Sequence, residues 1–535
     1  MERSRLSAAM LSAALVAAVA AVYGQTAGFE FVALDDGPYV PGNAAVREGL
    51  TPETLRWAFT TSYQGSWQPL TWISYMVERE LHGLEPGGYH VTNALLHAAA
   101  ALLAFAAFHA LSGALWRSAA VAALLALHPQ HVESVAWVAE RKGLLAAVFG
   151  LGSLWAYAGF ARRGGGWRYA LCALALLAGL LSKQVVVTLP CVFLLLDFWP
   201  LRRWPERSAA RLIAEKLPLF ALCAGASWMA LAVQGEAGGR ALAEVIGVGQ
   251  RVANAAVSIV LHLRHTLWPF GLSPYYPHPY VATTGGVAFG ALQVAAAGAA
   301  LVAITGLALR ERERRPWLGV GWLWFAGMLV PSLGLVPFGT HGMADRFAYL
   351  PALGLYAAGV WTLGDAARSL GLGRRACAAL GLAALAALGT LCWREARHWR
   401  DSEALFERVL AVEPRAAMIH YNYANLLKRG GGTERAVEHY RAALEVHPGY
   451  LKARTNLANT LRDTDEPEAA LAEYQTLAAQ YPTYAPPHYQ AGLLLAKLGR
   501  LEEARSYLER TAELDPHSEE VRAALEALGA AKPTP

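Results

Sequence analysis

The sequence is poor in charge and in cysteine for its length. Only 16% of its 535 residues are charged and 55% are hydrophobic, with a mean hydropathy of +0.28, which excludes an ordinary soluble protein. The five cysteines all lie in apolar runs, so no disulfide framework is predicted. No Walker-type or Rossmann-type glycine motif is present, which argues against a soluble nucleotide donor. The net charge of +5 gives no indication of nucleic-acid binding.

The charge is distributed unevenly along the chain. Of the 133 residues from 403 onward, 34 are charged, against 53 of the first 402. The change in composition predicts a domain boundary near residue 400. We expect a polytopic membrane domain over 1–395 and a polar domain over 396–535.

Eleven apolar stretches in the first domain are long enough to cross a bilayer, which takes about 20 residues. A further stretch, 251–269, carries Arg251, His262, Arg264 and His265, and it is predicted to be interfacial or re-entrant. The predicted spans are residues 7–24, 91–111, 118–135, 143–161, 168–182, 184–200, 214–234, 285–308, 317–337, 347–365 and 376–393.

Arginine and lysine concentrate in four short clusters, at 161–168, 200–211, 310–315 and 373–375. Such clusters mark the cytoplasmic side of a membrane protein. With an odd number of spans, the loop 25–90 and the C-terminal tail are therefore predicted to lie outside. The alternative for the first apolar stretch is a cleaved signal peptide, which would leave these sides unchanged.

The polar tail contains a sequence repeat of 34 residues. Four prolines, Pro414, Pro448, Pro482 and Pro516, follow each other at this spacing. Alanines and aromatic residues recur in the same register, which is the tetratricopeptide pattern. Helix pairs of this kind stack into a solenoid with a concave, peptide-sized groove. We expect a half repeat at 402–416, repeats at 417–450, 451–484 and 485–518, and a capping helix at 519–530.

Ionisable residues gather at the predicted outer ends of the membrane helices. Asp35 and Asp36 lie in the loop 25–90, and cations follow at Lys183 and Arg346. Each has a structural alternative, since Asp-Gly favours a turn and long basic side chains snorkel. However, carboxylates and cations on one side suit transfer from a lipid phosphate to a hydroxyl group. A carboxylate would take the hydroxyl proton, and the cations would stabilise the departing phosphate.

A metal site is the other possibility that these residues raise. His128, His131 and Glu133 lie close together in the sequence, but three such residues without a fourth ligand indicate a hydrogen-bonded cluster. No metal ligand and no cofactor is therefore predicted, with a divalent cation kept as an alternative.

Several motifs in order resemble one family along nearly the whole chain. They are "LDDGPYV", "WQPLTWISY", "GLEPGGYHVTNALLH", "HPQHVESVAWVAERKGLL", "LLSKQVVVTLPCVFLLLDFWPL" and "ADRFAYLP", followed by the repeats. This chain is similar to the transmembrane and tetratricopeptide repeat-containing family. The resemblance implies the C-type membrane glycosyltransferase fold, a sugar donor linked to a polyprenyl phosphate, an inverting transfer and protein O-mannosylation.

The resemblance also implies roles for individual residues. The family's acidic motif corresponds to Asp35 and Asp36, one acting as base and the other orienting it. Two close carboxylates raise one pKa, and Asp36 is the expected base. The donor phosphate and sugar are expected to contact Arg346, Lys183, Arg141, His131, Glu133 and Asp345. This chain departs from the family pattern at Asp345, which replaces a glutamate, and at Arg141-Lys142-Gly143, where the family commonly has an arginine followed by an acid.

The repeats align polar side chains on the first helix of each pair. These positions face the concave side, and carboxamides there can pair with a peptide backbone whatever its sequence. We therefore expect them to bind a protein acceptor, the alternative being contacts between the helices of the array. The residues concerned are Asn422, Asn425, Asn456, Asn459 and Gln490.

The sequence leaves other functions open. A glycosyltransferase or ligase acting on an envelope glycan or lipid is one, a membrane-anchored scaffold without catalysis is a second, and a transporter is a third. The repeats favour a protein acceptor over a glycan, and the intact Asp pair favours an enzyme over a scaffold. A composition rich in Ala, Arg and Gly suggests a bacterial chain, so the expected location is the inner membrane with a periplasmic repeat domain.

Overall fold

The computed structural model describes residues 2–234, 245–336 and 339–530 of the chain. Nearly all of its regular structure is helical, and the predicted all-α fold class is confirmed. The chain divides into two compact units. The first comprises residues 1–280 and 288–408, and the second comprises 281–287 and 409–535.

Six helices in the described part of the first unit are long and apolar enough to cross a membrane. A residue rises about 1.5 Å along a helix, so 20 residues match the hydrocarbon core of about 30 Å. The six are Leu6–Gly28, Pro86–Ser112, Val138–Arg163, Ala209–Val233, Ala291–Arg310 and Arg374–Trp399.

The other five predicted spans also form helices, which have 10 to 18 residues and are not among the six candidate spans. The stretch predicted at 118–135 ends at Leu127, because Pro129 begins a new turn and the side chain of His128 accepts the N–H of Gln130. At 184–200 the chain begins with a 3-10 turn before its helix. The helices are Leu115–Leu127, Gly166–Ser182, Leu189–Phe198, Pro316–Leu329 and Ala352–Ser369.

The helix Val248–Leu267, predicted to be interfacial or re-entrant, buries polar residues. His262 and His265 both point into the protein. This helix is not among the six candidate spans, because its inward face is polar rather than apolar. Near it lies a two-stranded antiparallel sheet, Tyr276–Pro277 paired with His341–Met343.

The loop 25–90 is folded into short helices and packs around aromatic side chains. Trp72 is fully buried, with its ring 5.0 Å from that of Tyr39 and 5.6 Å from that of Trp57. Thr51 caps one helix by accepting the N–H of Thr54 at 3.1 Å. The loop is therefore a fixed platform. Its α-helices are Asp36–Tyr39, Ala44–Glu48, Pro52–Thr60 and Pro69–His82.

The second unit is a stack of helix pairs at the predicted spacing. The recurring Ala436, Ala470 and Ala504 are buried, as are Tyr440 and Tyr474. Small residues let the two helices of a pair approach, while the tyrosines fill the space between them. The helix Ser402–Val412 begins in the first unit and crosses the boundary at residue 409, and the helices that follow it are Ala417–Arg429, Thr433–Val446, Leu451–Asp463, Pro467–Gln480, Ala485–Lys497, Leu501–Leu514 and Glu519–Ala530.

Two glycines in the first unit allow adjacent helices to touch. A Cβ atom at Gly321 would overlap the carbonyl oxygen of Gly354, and one at Gly354 would overlap that of Gly321. Helices in membranes associate through such small residues, since lipid offers no hydrophobic driving force. The contact holds Pro316–Leu329 against Ala352–Ser369.

We predict that Gly321→Ala destabilises the protein by about 1–3 kcal/mol, because the added methyl group forces the two helices apart. Gly327→Ala is the matched control, since that glycine lies on the same helix with nothing within 4 Å of its Cβ position. Thermal unfolding in detergent measures both. An equal melting temperature for the two variants would contradict this account of the packing.

Candidate active site

Asp36 is a fully buried carboxylate that connects two segments of backbone. Its Oδ2 accepts the N–H of Val32 at 3.0 Å, and its Oδ1 accepts that of Ala139 at 2.8 Å. The first bond closes the loop on itself, and the second ties it to the segment before the helix Arg141–Arg163. Both carboxylate oxygens are thus used within the protein.

Burial raises the pKa of Asp36 to about 7, although the two backbone N–H groups oppose the shift. The neighbouring Asp35 raises it further, so the expected pair effect is present but smaller than that of burial. A base must reach the hydroxyl group that it deprotonates. Asp36, the base expected from the sequence, has its oxygens turned to the backbone instead.

Asp35 differs from its neighbour in being exposed. Its backbone carbonyl accepts the N–H of Tyr39 at 3.0 Å, so it occupies the first position of a short turn. It lies within electrostatic range of Lys142 and Arg346. Lys142 in turn donates to the Tyr39 hydroxyl at 3.0 Å and lies over its ring. An available carboxylate and two cations therefore lie near each other.

Four charges of alternating sign form a chain beside this loop. Arg346 is paired with the Glu133 carboxylate through its guanidinium and through its backbone N–H at 2.9 Å. Its Nε lies 3.7 Å from Oε2 of Glu140. Glu140 is also paired with Lys183. Glu133 and Arg346, both expected in the donor site, are thus brought together with Lys183 through a residue that the sequence did not single out.

The electrostatics of this ion chain favour an anionic ligand. Burial raises the pKa of Glu133 to about 7 against the opposing charge of Arg346. Burial lowers the pKa of Lys183, and the charges of Lys142 and Arg346 lower it further although Glu140 opposes them. Three cations, Lys183, Lys142 and Arg346, thus repel one another beside the buried carboxylates of Glu133 and Glu140. A phosphate placed there would relieve their repulsion.

Arg141 does not lie with this chain, contrary to expectation. Its guanidinium is fully buried, paired with Glu78, and donates to Asn93 Oδ1 at 2.9 Å and to the Tyr89 carbonyl at 2.7 Å. As the first residue of its helix it points away from Glu140 and Lys142, which flank it in the sequence. Arg141 joins three helices, and each of its three guanidinium nitrogens has a partner within the protein.

Asp345 likewise turns away from Arg346. Its Oδ1 accepts from His265 at 2.8 Å and its Oδ2 from the Tyr276 hydroxyl at 2.6 Å, and Gln130 lies 3.4 Å away. These donors hold the pKa of Asp345 below its usual value although burial opposes them. Asp345 therefore holds the backbone that presents Arg346, rather than contacting a donor at the ion chain.

His131 is buried behind the ion chain. Its Nε2 lies 2.8 Å from the Tyr356 hydroxyl, and burial lowers its pKa well below the usual value, which disfavours a positive charge that would attract a phosphate. His128 contacts the Thr266 carbonyl at 3.0 Å, while Glu133 is paired with arginine. The three residues considered for a metal site thus have separate partners, and no metal-binding cluster occurs among the residues described.

The sequence did not indicate four residues that the structure places here: Ser134, Glu140, Lys142 and Tyr349. Together with Lys183 and Arg346, Ser134, Glu140 and Tyr349 line a small cavity that is open on one side. Glu140 and Lys142 were within the quoted "AERKGLL" motif. Only the position at which the helix begins decides which of its charged residues faces the cavity.

The fold and this site define a multi-pass membrane protein with a tetratricopeptide repeat domain. The tetratricopeptide repeat family model matches residues 430–493 and 461–528. The crystal structure of MamA protein is 19% identical over 24% of this chain and 70% of its own, with a TM-score of 0.23, which is too low to carry a structural argument.

Several curated relatives are named protein O-mannosyl-transferases. Human TMTC1 is 26% identical over 86% of this chain, and mouse TMTC4 is 26% identical over 70% of it. Tmtc2 of Drosophila melanogaster is 35% identical over 25% of it and 15% of its own length. The resemblance to the transmembrane and tetratricopeptide repeat-containing family is confirmed. The chain spans 58% of human TMTC1 and 57% of mouse TMTC4.

The burial of Arg141 generates a prediction about stability. Arg141→Gln should cost about 3–5 kcal/mol of unfolding free energy, because it leaves Glu78 buried without a cation. Arg141→Gln combined with Glu78→Gln should recover much of this loss. Arg117→Gln is the matched control, since its ion pair with Asp365 is partly exposed and worth about 1 kcal/mol or less.

The measurement is chemical or thermal unfolding of the purified protein in detergent. If Arg141→Gln had wild-type stability but weaker donor binding, the structural role of Arg141 would be contradicted. The donor contact that the sequence predicted for this residue would then be supported.

Proposed function

We propose that this protein is a membrane glycosyltransferase that transfers a sugar from a polyprenyl-phosphate donor to hydroxyl groups of protein acceptors. The sugar is mannose or a similar hexose, as the names of the relatives suggest. The reaction takes place on the periplasmic side of a bacterial inner membrane. The observation that carries the proposal is an exposed Asp35 within electrostatic range of a cation beside a cavity.

The reaction is a single displacement. Asp35 accepts the proton of the acceptor hydroxyl group while the oxygen of that hydroxyl group attacks the anomeric carbon of the sugar. The bond from that carbon to the phosphate oxygen breaks, and the lipid phosphate leaves with the electron pair. Arg346 and Lys183 stabilise the charge of the leaving phosphate. Because attack and departure occur on opposite faces of the carbon, the product has inverted configuration.

The division of labour between the two aspartates follows from their surroundings. Asp36 holds the loop in place through two backbone bonds, and Asp35 is presented by the turn that this anchoring creates. We therefore assign the role of base to Asp35 and that of positioning residue to Asp36. Glu133 and Asp345 position Arg346 from either side.

Asp35→Asn should reduce turnover about 10²–10⁴-fold, because the proton acceptor is lost, while leaving the melting temperature unchanged. Asp36→Asn should instead lower the melting temperature, since an amide group cannot accept both backbone N–H groups and one is left unsatisfied at a cost of about 1–3 kcal/mol. Transfer from a lipid-linked sugar to protein acceptors, measured by mass spectrometry of the products, reports the first effect.

Near-normal turnover in Asp35→Asn would contradict the assignment of the base. If wild-type protein transfers sugar to a glycan or lipid but not to protein, the alternative envelope enzyme is correct. If it transfers sugar to no acceptor at all, the alternative of a membrane-anchored scaffold without catalysis is correct.

The repeat domain supports a protein acceptor. Asn456 donates to Oδ1 of Asn425 at 2.7 Å, so two members of the predicted row are in contact. Oδ1 of Asn425 also accepts from the Tyr440 hydroxyl, as that of Asn459 does from Tyr474. Asn425 and Asn459 thus stabilise helix pairs, which is the alternative to acceptor binding that the sequence left open for this row. We assign acceptor binding to Asn422, Asn456 and Gln490, with Gln490 also accepting from Arg462.

Asn422→Ala combined with Asn456→Ala should therefore reduce modification of full-length proteins, because the groove no longer raises their local concentration. Transfer to a short soluble peptide should be unchanged. Glu438→Ala, an exposed residue on a second helix, is the control and should affect neither acceptor. Equal loss with both acceptors, or with neither, would mean that the row is structural.

A further inference from the structure

The cavity beside the ion chain contains two polar atoms that the protein does not satisfy. Ser134 is 2% exposed and Glu140 is 1% exposed, and both line the cavity. Within the described ranges, neither Ser134 Oγ nor Glu140 Oε2 has a hydrogen-bond partner. Most buried polar side-chain atoms in proteins are hydrogen-bonded, so each exception requires an explanation.

The two atoms suit opposite kinds of partner: the Ser134 hydroxyl can donate a hydrogen bond, and Glu140 Oε2 can only accept one. A serine hydroxyl beside Arg346 and Lys183 is suited to donate to an anionic oxygen, which those cations also attract. Glu140 is paired with Lys183 and so carries a negative charge. Its Oε2 lies 3.7 Å from Arg346 Nε, an ion pair that is too long for a hydrogen bond. An ionised carboxylate only accepts hydrogen bonds and repels phosphate, so a hydroxyl group is the ligand group that suits this oxygen.

Gly143 is the residue that lets Glu140 occupy this position. It also lines the cavity, and a Cβ atom there would collide with Oε1 of Glu140. A side chain of any kind at this position would push the Glu140 carboxylate away from Lys183.

We propose that this cavity binds the junction between the sugar and the phosphate of the donor. Ser134 Oγ donates to a phosphoryl oxygen, and Glu140 Oε2 accepts from a hydroxyl group of the sugar. The inference rests on the proposed function, and it adds that different residues recognise the phosphate and the sugar of the donor. Ser134 recognises the phosphate of any polyprenyl phosphate, whereas Glu140 distinguishes a glycosylated from a bare one.

The test compares two probes on the full chain in detergent: a short-chain polyprenyl phosphate and its mannose ester. Ser134→Ala should weaken binding of both probes by the same factor, about 10-fold, because a hydrogen bond to a charged group is lost. Its melting temperature should not fall, since the hydroxyl bonds to nothing within the protein.

Ser153→Ala is the matched control. Ser153 is also buried, but its hydroxyl donates to the Cys172 carbonyl at 2.8 Å. It should lose stability and keep its affinity for both probes. This pattern is the reverse of that expected for Ser134→Ala, so a general effect of removing a buried hydroxyl is separated from a lost ligand contact.

Glu140 is tested by the difference between the probes. Wild-type protein should bind the mannose ester more tightly than the bare phosphate, and Glu140→Gln should reduce that ratio to near one. Gly143→Ala should act in the same direction by displacing the carboxylate.

Three outcomes would overturn the inference. They are wild-type affinity of Ser134→Ala for both probes, a fall in its melting temperature with no change in affinity, and equal affinity of wild-type protein for the two probes. If wild-type protein binds neither probe, it is the proposed function that fails.

Discussion

Buried charges must be paired, and the candidate site is organised around this requirement. Taking an ion out of water costs several kcal/mol unless an opposite charge and hydrogen bonds compensate. Glu133, Arg346, Glu140 and Lys183 meet this condition by alternating in sign, although Glu133 and Arg346 are 213 positions apart. The chain of ion pairs therefore brings distant segments together. It leaves one side of the cations open to a cavity, where a ligand can complete their coordination.

Neighbouring residues of the same type have different roles because one is buried and the other is not. Asp36 uses both oxygens on backbone N–H groups, and this anchoring is what leaves Asp35 exposed at the start of a turn. Similarly, Arg141 is enclosed by three helices, whereas Lys142 beside it faces the loop. In both pairs the buried member fixes the geometry in which the other can act.

In the repeat domain, too, residues of one type on a single face have different roles. The tyrosines that fill the helix pairs donate to Asn425 and Asn459, so two of the five residues in the polar row hold the array together. Asn456 joins this framework by donating to Asn425 of the preceding repeat. Carboxamides that are held by their own scaffold would lose little side-chain entropy on binding a ligand.

The amino-acid sequence by itself determined the helical class, the apolar stretches and the repeats, because these depend on periodicity and composition within a short window. Strict spacing of Pro414, Pro448, Pro482 and Pro516 needs no knowledge of distant residues. The site could be predicted only as a set of segments. Which charged residue of "AERKGLL" reaches the cavity depends on where a helix begins and on what packs against it. Only the tertiary structure decided this, because burial and pairing are properties of contacts between segments far apart in the chain.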